Sequence, residues 1–194
     1  MTVSPEIPKL TDCEEEGKKV LTEPHLTFVK MGFGYSLMVL IGEGFKTDGA
    51  SVPKKLFSDE KYGTQIQKML QQKYPLLGTR WDFENLWEYL VGTPWDMPRL
   101  LAAIVHDALY DCKWKFRWLC DTIYRKILLQ FDYYRMRADI EYACIRLAGW
   151  RNWNSITKKE RKEARKKVKI EFVRNKKVKK IIKRIQRQEA EKKS

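Results

Sequence analysis

The chain has 194 residues, a length that suits one globular domain with a substantial core. Hydrophobic residues make up 43% of it and aromatic residues 12%, which excludes an intrinsically disordered chain. The net charge of +14 is unevenly placed, because residues 157–194 hold 18 Lys and Arg against 5 Asp and Glu. Only this segment indicates a nucleic-acid or acidic partner, since the rest of the chain is almost neutral.

The N-terminal quarter is predicted to be rich in β-structure. Residues 1–17 are polar and contain two prolines, so we expect a flexible N-terminal arm that lacks the basic and apolar regions of a signal peptide. Runs of β-branched, aromatic and aliphatic residues follow, separated by glycine-bearing turns. They predict short strands at 18–22, 26–30, 35–41 and 45–47, which we expect to form a small antiparallel β meander.

From residue 54 onward the pattern becomes helical. The stretches TQIQKMLQQKYP and DFENLWEYLVG predict two helices between Pro53 and Pro98. Stronger signals follow over Pro98–Cys112, Phe116–Gln130 and Tyr134–Ala148, and Gly149 is expected to end the last of these helices. Three consecutive helices with short connections predict a bundle packed on the meander, so we expect residues 18–156 to form a single α+β domain. The longest apolar run is too short to span a membrane.

The C-terminal segment, residues 157–194, is predicted to be one basic amphipathic helix. Apolar residues recur in it at helical spacing and are surrounded by Lys and Arg. Such a helix could contact nucleic acid or an acidic protein, and contacts with phosphates would weaken steeply with salt. The alternative is a solvated helix that only increases solubility. The residues expected to contact nucleic acid are Lys166, Lys167, Lys176, Lys177, Lys179, Lys180, Lys183 and Arg184.

Polar residues interrupt two of the predicted helices. In HDALYD, His106 and Asp107 break an otherwise apolar helix, and Tyr110 lies one turn beyond His106. In the next helix, Arg117 and Asp121 form an i, i+4 pair of opposite charge. If the two helices pack antiparallel, Asp121 approaches the level of His106 and Asp107.

The stretch GFKTDGASVP, residues 44–53, is typical of a turn that follows a strand. Its residues Asp48 and Ser51 could close the same site from the sheet side. Each of these polar residues also has an ordinary structural interpretation. The histidine could hydrogen-bond within the fold, Asp48 could accept in an Asx turn, and the charged pair could be a surface ion pair worth ~0.2–0.5 kcal/mol.

The candidate residues allow two chemistries. His106, Asp107 and Asp121, with or without Asp48, could hold a divalent metal such as zinc or manganese that activates water. Alternatively, Ser51 could be a nucleophile with His106 as its base, although it lacks a G-x-S-x-G elbow. The sequence does not decide between these two chemistries, so it does not identify a cofactor. The chain has only two histidines, which argues against the histidine-aspartate phosphohydrolases.

Four stretches occur in the order GFKTDGASVP, AAIVHDALYD, RWLCD and IRLAGWRNW. In this order they resemble the motifs of the phage- and prophage-associated domain of unknown function numbered 1353. The resemblance covers roughly residues 20–153. The stretch between Pro53 and Pro98 looks longer than is usual in that family, and Cys120 stands where the family more often has alanine. The basic C-terminal segment lies outside the resemblance.

The resemblance implies a phage-encoded protein, found in the host cytoplasm or in the virion, but it brings no established reaction. Its shared polar positions here are Thr47, Asp48, Ser51, His106, Asp107, Tyr110, Arg117 and Asp121. One function that fits is a hydrolase of peptidase or amidase type. In it His106, Asp107, Asp121, Asp48 and Ser51 are catalytic, and Thr47, Tyr110 and Arg117 bind. The other is a non-catalytic virion component or host-directed accessory protein that binds its partner through the basic segment.

Overall fold

The computed structural model describes residues 8–14, 17–48, 97–131 and 133–193, together with Lys68 and Gln72. Antiparallel sheets built mainly from the N-terminal part pack with helices of the C-terminal part, which confirms the predicted α+β class. Of the two helices predicted between Pro53 and Pro98, Lys68 and Gln72 are helical, and the other positions lie outside the described residues.

The strands form two three-stranded antiparallel sheets instead of the single meander that was predicted. One sheet has the order β1-β2-β5 and the other β3-β4-β6. Part of the expected flexible arm is therefore a strand, because β1 pairs with β2. The strands are β1 Leu10–Asp12, β2 Lys19–Leu21, β3 His25–Gly32, β4 Tyr35–Ile41, β5 Lys46–Thr47 and β6 Val168–Arg174.

The hairpin of β3 and β4 follows the sequence pattern closely. Alternate residues of both strands are buried, as expected for strands with one face on a core. The chain reverses at Gly32, Phe33 and Gly34, which have φ angles of 104°, 50° and 76°. Two of these three left-handed positions are glycine, which adopts such angles without steric cost. The turn leaves the ring of Phe33 fully exposed at its tip.

The C-terminal segment is not one helix, and this corrects the sequence prediction. Two helices flank β6, which pairs with β4 along its full length from Val168 opposite Ile41 to Arg174 opposite Tyr35. The stretch VKIEFVR alternates β-formers with polar residues, a pattern that the dense surrounding charge obscured. Pairing with β6 satisfies the edge of β4 that β3 leaves open.

Three of the helices agree with the predicted ones. They are α1 Arg99–Asp111, α2 Arg117–Gln130 and α3 Arg135–Ser155, and α4 Lys158–Lys167 and α5 Asn175–Lys193 flank β6. Thr157 begins α4 through a capping box with Glu160. The prediction that Gly149 ends α3 is wrong, because the helix continues to Ser155.

The core lies around α1, which is buried on nearly all sides. It packs against α2, α4 and strands of both sheets. His106 is therefore a polar side chain held in an apolar helix, and the next residue, Asp107, accepts a hydrogen bond from Thr47 of β5. Over the described residues, no helix is both long and apolar enough to cross a membrane.

Candidate functional site

The packing of α1 against α2 brings His106 into contact with Asp121. Nε2 of His106 lies 3.0 Å from Oδ1 of Asp121, and both side chains are buried. The ring of His106 also packs on Tyr110, with centroids 4.0 Å apart, and meets Tyr124 edge-on. The imidazole is therefore held in one orientation by its neighbours.

Asp121 is the centre of a network of hydrogen bonds. Tyr110 donates to Oδ1 at 2.5 Å, and Arg146 donates to Oδ2 at 2.6 Å. Arg117 forms a longer ion pair of 3.6 Å with the same Oδ2. Burial alone would raise the pKa of Asp121, but the hydrogen bonds from His106, Tyr110 and Arg146 outweigh it and lower the pKa. Asp121 is thus a buried carboxylate that stays ionised.

The charge of Asp121 determines the tautomer of His106. An ionised carboxylate can only accept hydrogen bonds, so Nε2 of His106 carries a proton and donates it to Asp121. In the neutral imidazole, Nδ1 then holds the lone pair. This nitrogen lies 4.0 Å from Oδ1 of Asp107, on the side of the ring away from Asp121.

Strand β5 and the residue that follows it contribute the second part of the site. Thr47 donates from Oγ1 to Oδ2 of Asp107 at 2.6 Å. Asp107 in turn shares a side-chain hydrogen bond with Asp48. The end of the small sheet is therefore tied to α1.

On the Asp107 side of His106, burial raises the pKa values of three carboxyl groups. Burial, followed by the charge of Asp48, raises the pKa of Asp107 well above its usual range. Burial also raises the pKa of Asp48, although its hydrogen bond with Asp107 opposes the shift. Burial, together with the charges of Asp48 and Glu160, raises the pKa of Asp111 to about 6. His106 therefore lies between Asp121, whose pKa is lowered, and Asp107, whose pKa is raised.

Most of the predicted site residues converge. The structure brings Thr47, Asp48, Asp107, His106, Tyr110, Arg117 and Asp121 into one connected set of contacts. Ser51 lies outside the described residues. Within the described ranges, no group of three or more His, Cys, Asp or Glu is arranged to hold a metal ion. His106 and Asp121 bond directly to each other instead of pointing at a shared position between them.

Sequence analysis missed Arg146, although it lies in the stretch IRLAGW of α3. Arg146 donates to Asp121, and its carbonyl oxygen accepts a 3.0 Å hydrogen bond from Arg117. A basic residue between apolar neighbours of a packed helix was a signal that could have identified it.

A second polar network in the bundle was also missed. The fully buried Glu141 of α3 pairs with Arg99 of α1, with Nε and Oε1 3.0 Å apart. Tyr124 donates to Glu141 at 2.5 Å and Tyr133 donates at 2.7 Å. Because Arg99, Tyr124 and Tyr133 all converge on the buried carboxylate of Glu141, we assign this network to stability.

The residues predicted to contact nucleic acid are all exposed, but on two different helices. Lys166 and Lys167 lie on α4, where Lys166 pairs with Glu163 and Lys167 donates to the carbonyl oxygen of Gly44. The other six lie on α5 and are Lys176, Lys177, Lys179, Lys180, Lys183 and Arg184.

Comparison with known proteins adds no relative. No family model matches the chain, and neither a curated protein nor a solved structure shows significant similarity to it. The resemblance to the domain numbered 1353 therefore stays a prediction from its four motifs.

Proposed function

We propose that the protein is a hydrolase of peptidase or amidase type, with His106 as its general base. One observation carries the proposal: His106 bonds to Asp121 through Nε2 and turns Nδ1 toward Asp107. The two carboxyl groups have pKa values shifted in opposite directions by their surroundings. Titratable groups whose pKa values are pushed apart in this way are typical of acid–base sites.

Each residue then has a defined role. Nδ1 of His106 takes a proton from a water molecule as the water oxygen attacks the acyl carbon. Asp121 orients the imidazole and stabilises its protonated form. Asp107 gives its proton to the leaving nitrogen as the acyl bond breaks. Transfer of the proton from His106 back to Asp107 restores the resting state, and the 4.0 Å separation of the two groups permits it through a small movement.

Asp48 and Thr47 support this role of Asp107. Asp48 and Asp107 share a hydrogen bond, and burial raises the pKa of both carboxyl groups, which favours a shared proton. Thr47 donates a hydrogen bond to Oδ2 of Asp107 and so restrains its carboxyl group. Ser51 stays an alternative nucleophile, predicted from its place in GFKTDGASVP. The proposal assigns no step to zinc or manganese, because the described part of the site offers no set of three ligands.

The test compares variants that keep the volume of each side chain. His106→Gln and Asp107→Asn are expected to abolish hydrolysis of a fluorogenic peptide amide or of purified peptidoglycan, while circular dichroism shows a retained fold. The control Asp12→Asn changes a carboxylate on the exposed strand β1 and is expected to keep full activity. Wild-type protein that hydrolyses neither material above the buffer rate would contradict the proposal.

The tautomer of His106 supplies a readout that does not depend on activity. Long-range proton–nitrogen NMR spectra resolve the two ring nitrogens, and the chain has only two histidines to assign. We expect a proton on Nε2 and none on Nδ1 of His106 at pH values where the ring is neutral. A proton on Nδ1 would leave no lone pair facing Asp107, and the assignment of the base would fail.

The second candidate function is contact with nucleic acid, and the exposed basic residues of α4 and α5 favour it. Replacing Lys176, Lys179, Lys180 and Lys183 by Gln is expected to weaken binding of an oligonucleotide and to reduce its salt dependence. Substitution is preferable to deleting residues 157–194, because that deletion also removes β6 from its sheet. Equal salt slopes for the two proteins would refute a role of α5. The biological context that we propose is a phage-encoded protein, on the strength of the four motifs.

A further inference from the structure

We propose that an exposed aromatic surface beside the basic helices binds single-stranded nucleic acid by base stacking. The aromatic surface consists of Phe116 and Trp118, at the start of α2, and Phe172 of β6. The proposal deepens the second candidate function and rests on it, because it names unpaired bases as the ligand. It is independent of the acid–base site.

The rings of the aromatic surface are exposed and already arranged for stacking. The side chain of Phe116 is 64% exposed and that of Trp118 is 53% exposed. Their ring planes are 9° from parallel, with centroids 6.4 Å apart. Phe172 is 52% exposed and contacts Trp114, with centroids 5.8 Å apart. Trp114 thereby links the connection between α1 and α2 to β6.

The connection between α1 and α2, which precedes Phe116 and Trp118, has a strained backbone. Lys113 and Lys115 have φ angles of 44° and 54°, a region that residues with a side chain rarely adopt. The backbone nitrogen of Trp114 donates to the carbonyl oxygen of Leu109 at 2.9 Å, and the thiol of Cys120 contacts the carbonyl oxygen of Trp114. This geometry turns Trp114 toward the body and leaves Phe116 exposed. Strained backbone of this kind is concentrated at functional sites. A surface that is already rigid also loses little conformational entropy when a ligand binds.

The surroundings of the aromatic surface are positively charged. Residues 112–116 contain two basic side chains, Lys113 and Lys115, and no acidic one. Arg165 of α4 donates to the carbonyl oxygen of Cys112 at 3.1 Å, so α4 lies against the same connection. Helix α4 itself holds seven basic residues against two acidic ones. Phosphates of a bound strand would therefore find cations beside the rings that stack on its bases.

This combination favours single strands over the other anionic partners. Exposed aromatic rings flanked by cations are the common arrangement of proteins that bind single strands without sequence preference. A duplex keeps its base faces stacked inside the helix and would use the cations alone. A vesicle of anionic lipid also attracts cations and aromatic rings, so it is included as a competing partner in the test.

The test measures binding of a fluorescein-labelled oligothymidine of about 20 nucleotides, longer than a typical site for one domain. Trp118→Ala and Phe116→Ala are each expected to weaken binding roughly tenfold, and Trp118→Phe is expected to retain it. All of these side chains are exposed, so their replacement leaves the core intact. The matched controls are Phe33→Ala and Trp150→Ala, which remove exposed rings from the hairpin tip and from α3 and are expected to bind like the wild type.

The possible failures are distinguishable. If the Lys-to-Gln protein binds weakly but Trp118→Ala and Phe116→Ala bind normally, α5 contacts nucleic acid and the stacking proposal is overturned. If wild-type protein binds no oligonucleotide at all, both nucleic-acid proposals fall. Equal affinity for the matching duplex, or binding to phosphatidylserine vesicles in place of the oligonucleotide, would also overturn the stacking proposal.

Discussion

Replacing Gly149 by Ala tests the packing that holds the site together. Gly149 lies inside α3, where a Cβ atom would stand 2.5 Å from Oη of Tyr110 and 3.4 Å from Nη1 of Arg117. Tyr110 cannot easily move aside, because its ring is packed between His106 and Trp153. Its hydroxyl also donates to Asp121, so a shift of the ring would disturb the central hydrogen bond of the site.

The expected effect of Gly149→Ala is the balance of opposing contributions. Alanine in a helix interior is more favourable than glycine by about 1 kcal/mol. Forcing a methyl group into a filled space costs about 1–3 kcal/mol, and losing a hydrogen bond to a charged group costs about 1.5–3 kcal/mol. The surrounding side chains can relax, so each of the two costs is only partly incurred, and the gain in helix propensity offsets part of the remainder. We therefore expect the free energy of unfolding to fall by about 2 kcal/mol. A chain of this size then melts about 4–8 °C lower.

A double-mutant cycle with Tyr110→Phe isolates the steric cause. The Phe side chain lacks the atom that the new methyl group would strike, so Gly149→Ala should be neutral or stabilising in that background. The coupling between the two substitutions is expected to be about 2 kcal/mol, measured by urea unfolding of all four proteins. Ala148→Gly, at the neighbouring position, reports the change in helix propensity alone. Equal destabilisation by Gly149→Ala in both backgrounds, or stabilisation of the wild type, would refute the reasoning.

Three further predictions concern charge and topology. Asp111→Asn should stabilise the protein at neutral pH. The pKa of Asp111 is about 6 in the folded protein and near 3.8 in the unfolded chain, so ionisation of this carboxyl group favours unfolding as the pH rises above 3.8. The rise in melting temperature of Asp111→Asn over the wild type should disappear below pH 4. A rise that is the same at every pH would contradict this prediction. Glu141→Ala should lower the free energy of unfolding, measured in urea, by about 3–5 kcal/mol, because it leaves the buried guanidinium of Arg99 without a counter-charge. Glu23→Ala, which breaks an exposed ion pair, should lower it by less than about 1 kcal/mol. Deleting residues 168–194 should lower the melting temperature sharply, because it removes β6 from its sheet. Deleting only residues 186–194 should change the melting temperature little. Similar melting temperatures for the two truncated proteins would refute the role of β6.

The sequence by itself determined the local elements with the strongest periodicity. The hairpin of β3 and β4 and the helices α1 and α2 were predicted within a few residues, because alternation, glycine turns and apolar helical spacing are encoded by neighbours in the chain. The candidate site residues were predicted for the same reason, since a histidine and aspartates within apolar helices are visible without knowledge of the fold.

Only the tertiary structure decided what these elements pair with. The stretch VKIEFVR could be read as helix or strand, and the open edge of β4 selects the strand. Gly149 was read as a helix end, but the close approach of Tyr110 requires a glycine inside α3. The contact of Arg146 with Asp121 and the raised pKa of Asp107 depend on burial and on residues far along the chain, and burial is a property of the packed molecule. Contacts between distant residues and the desolvation that they cause have no local signature, so no reading of neighbouring residues could supply them.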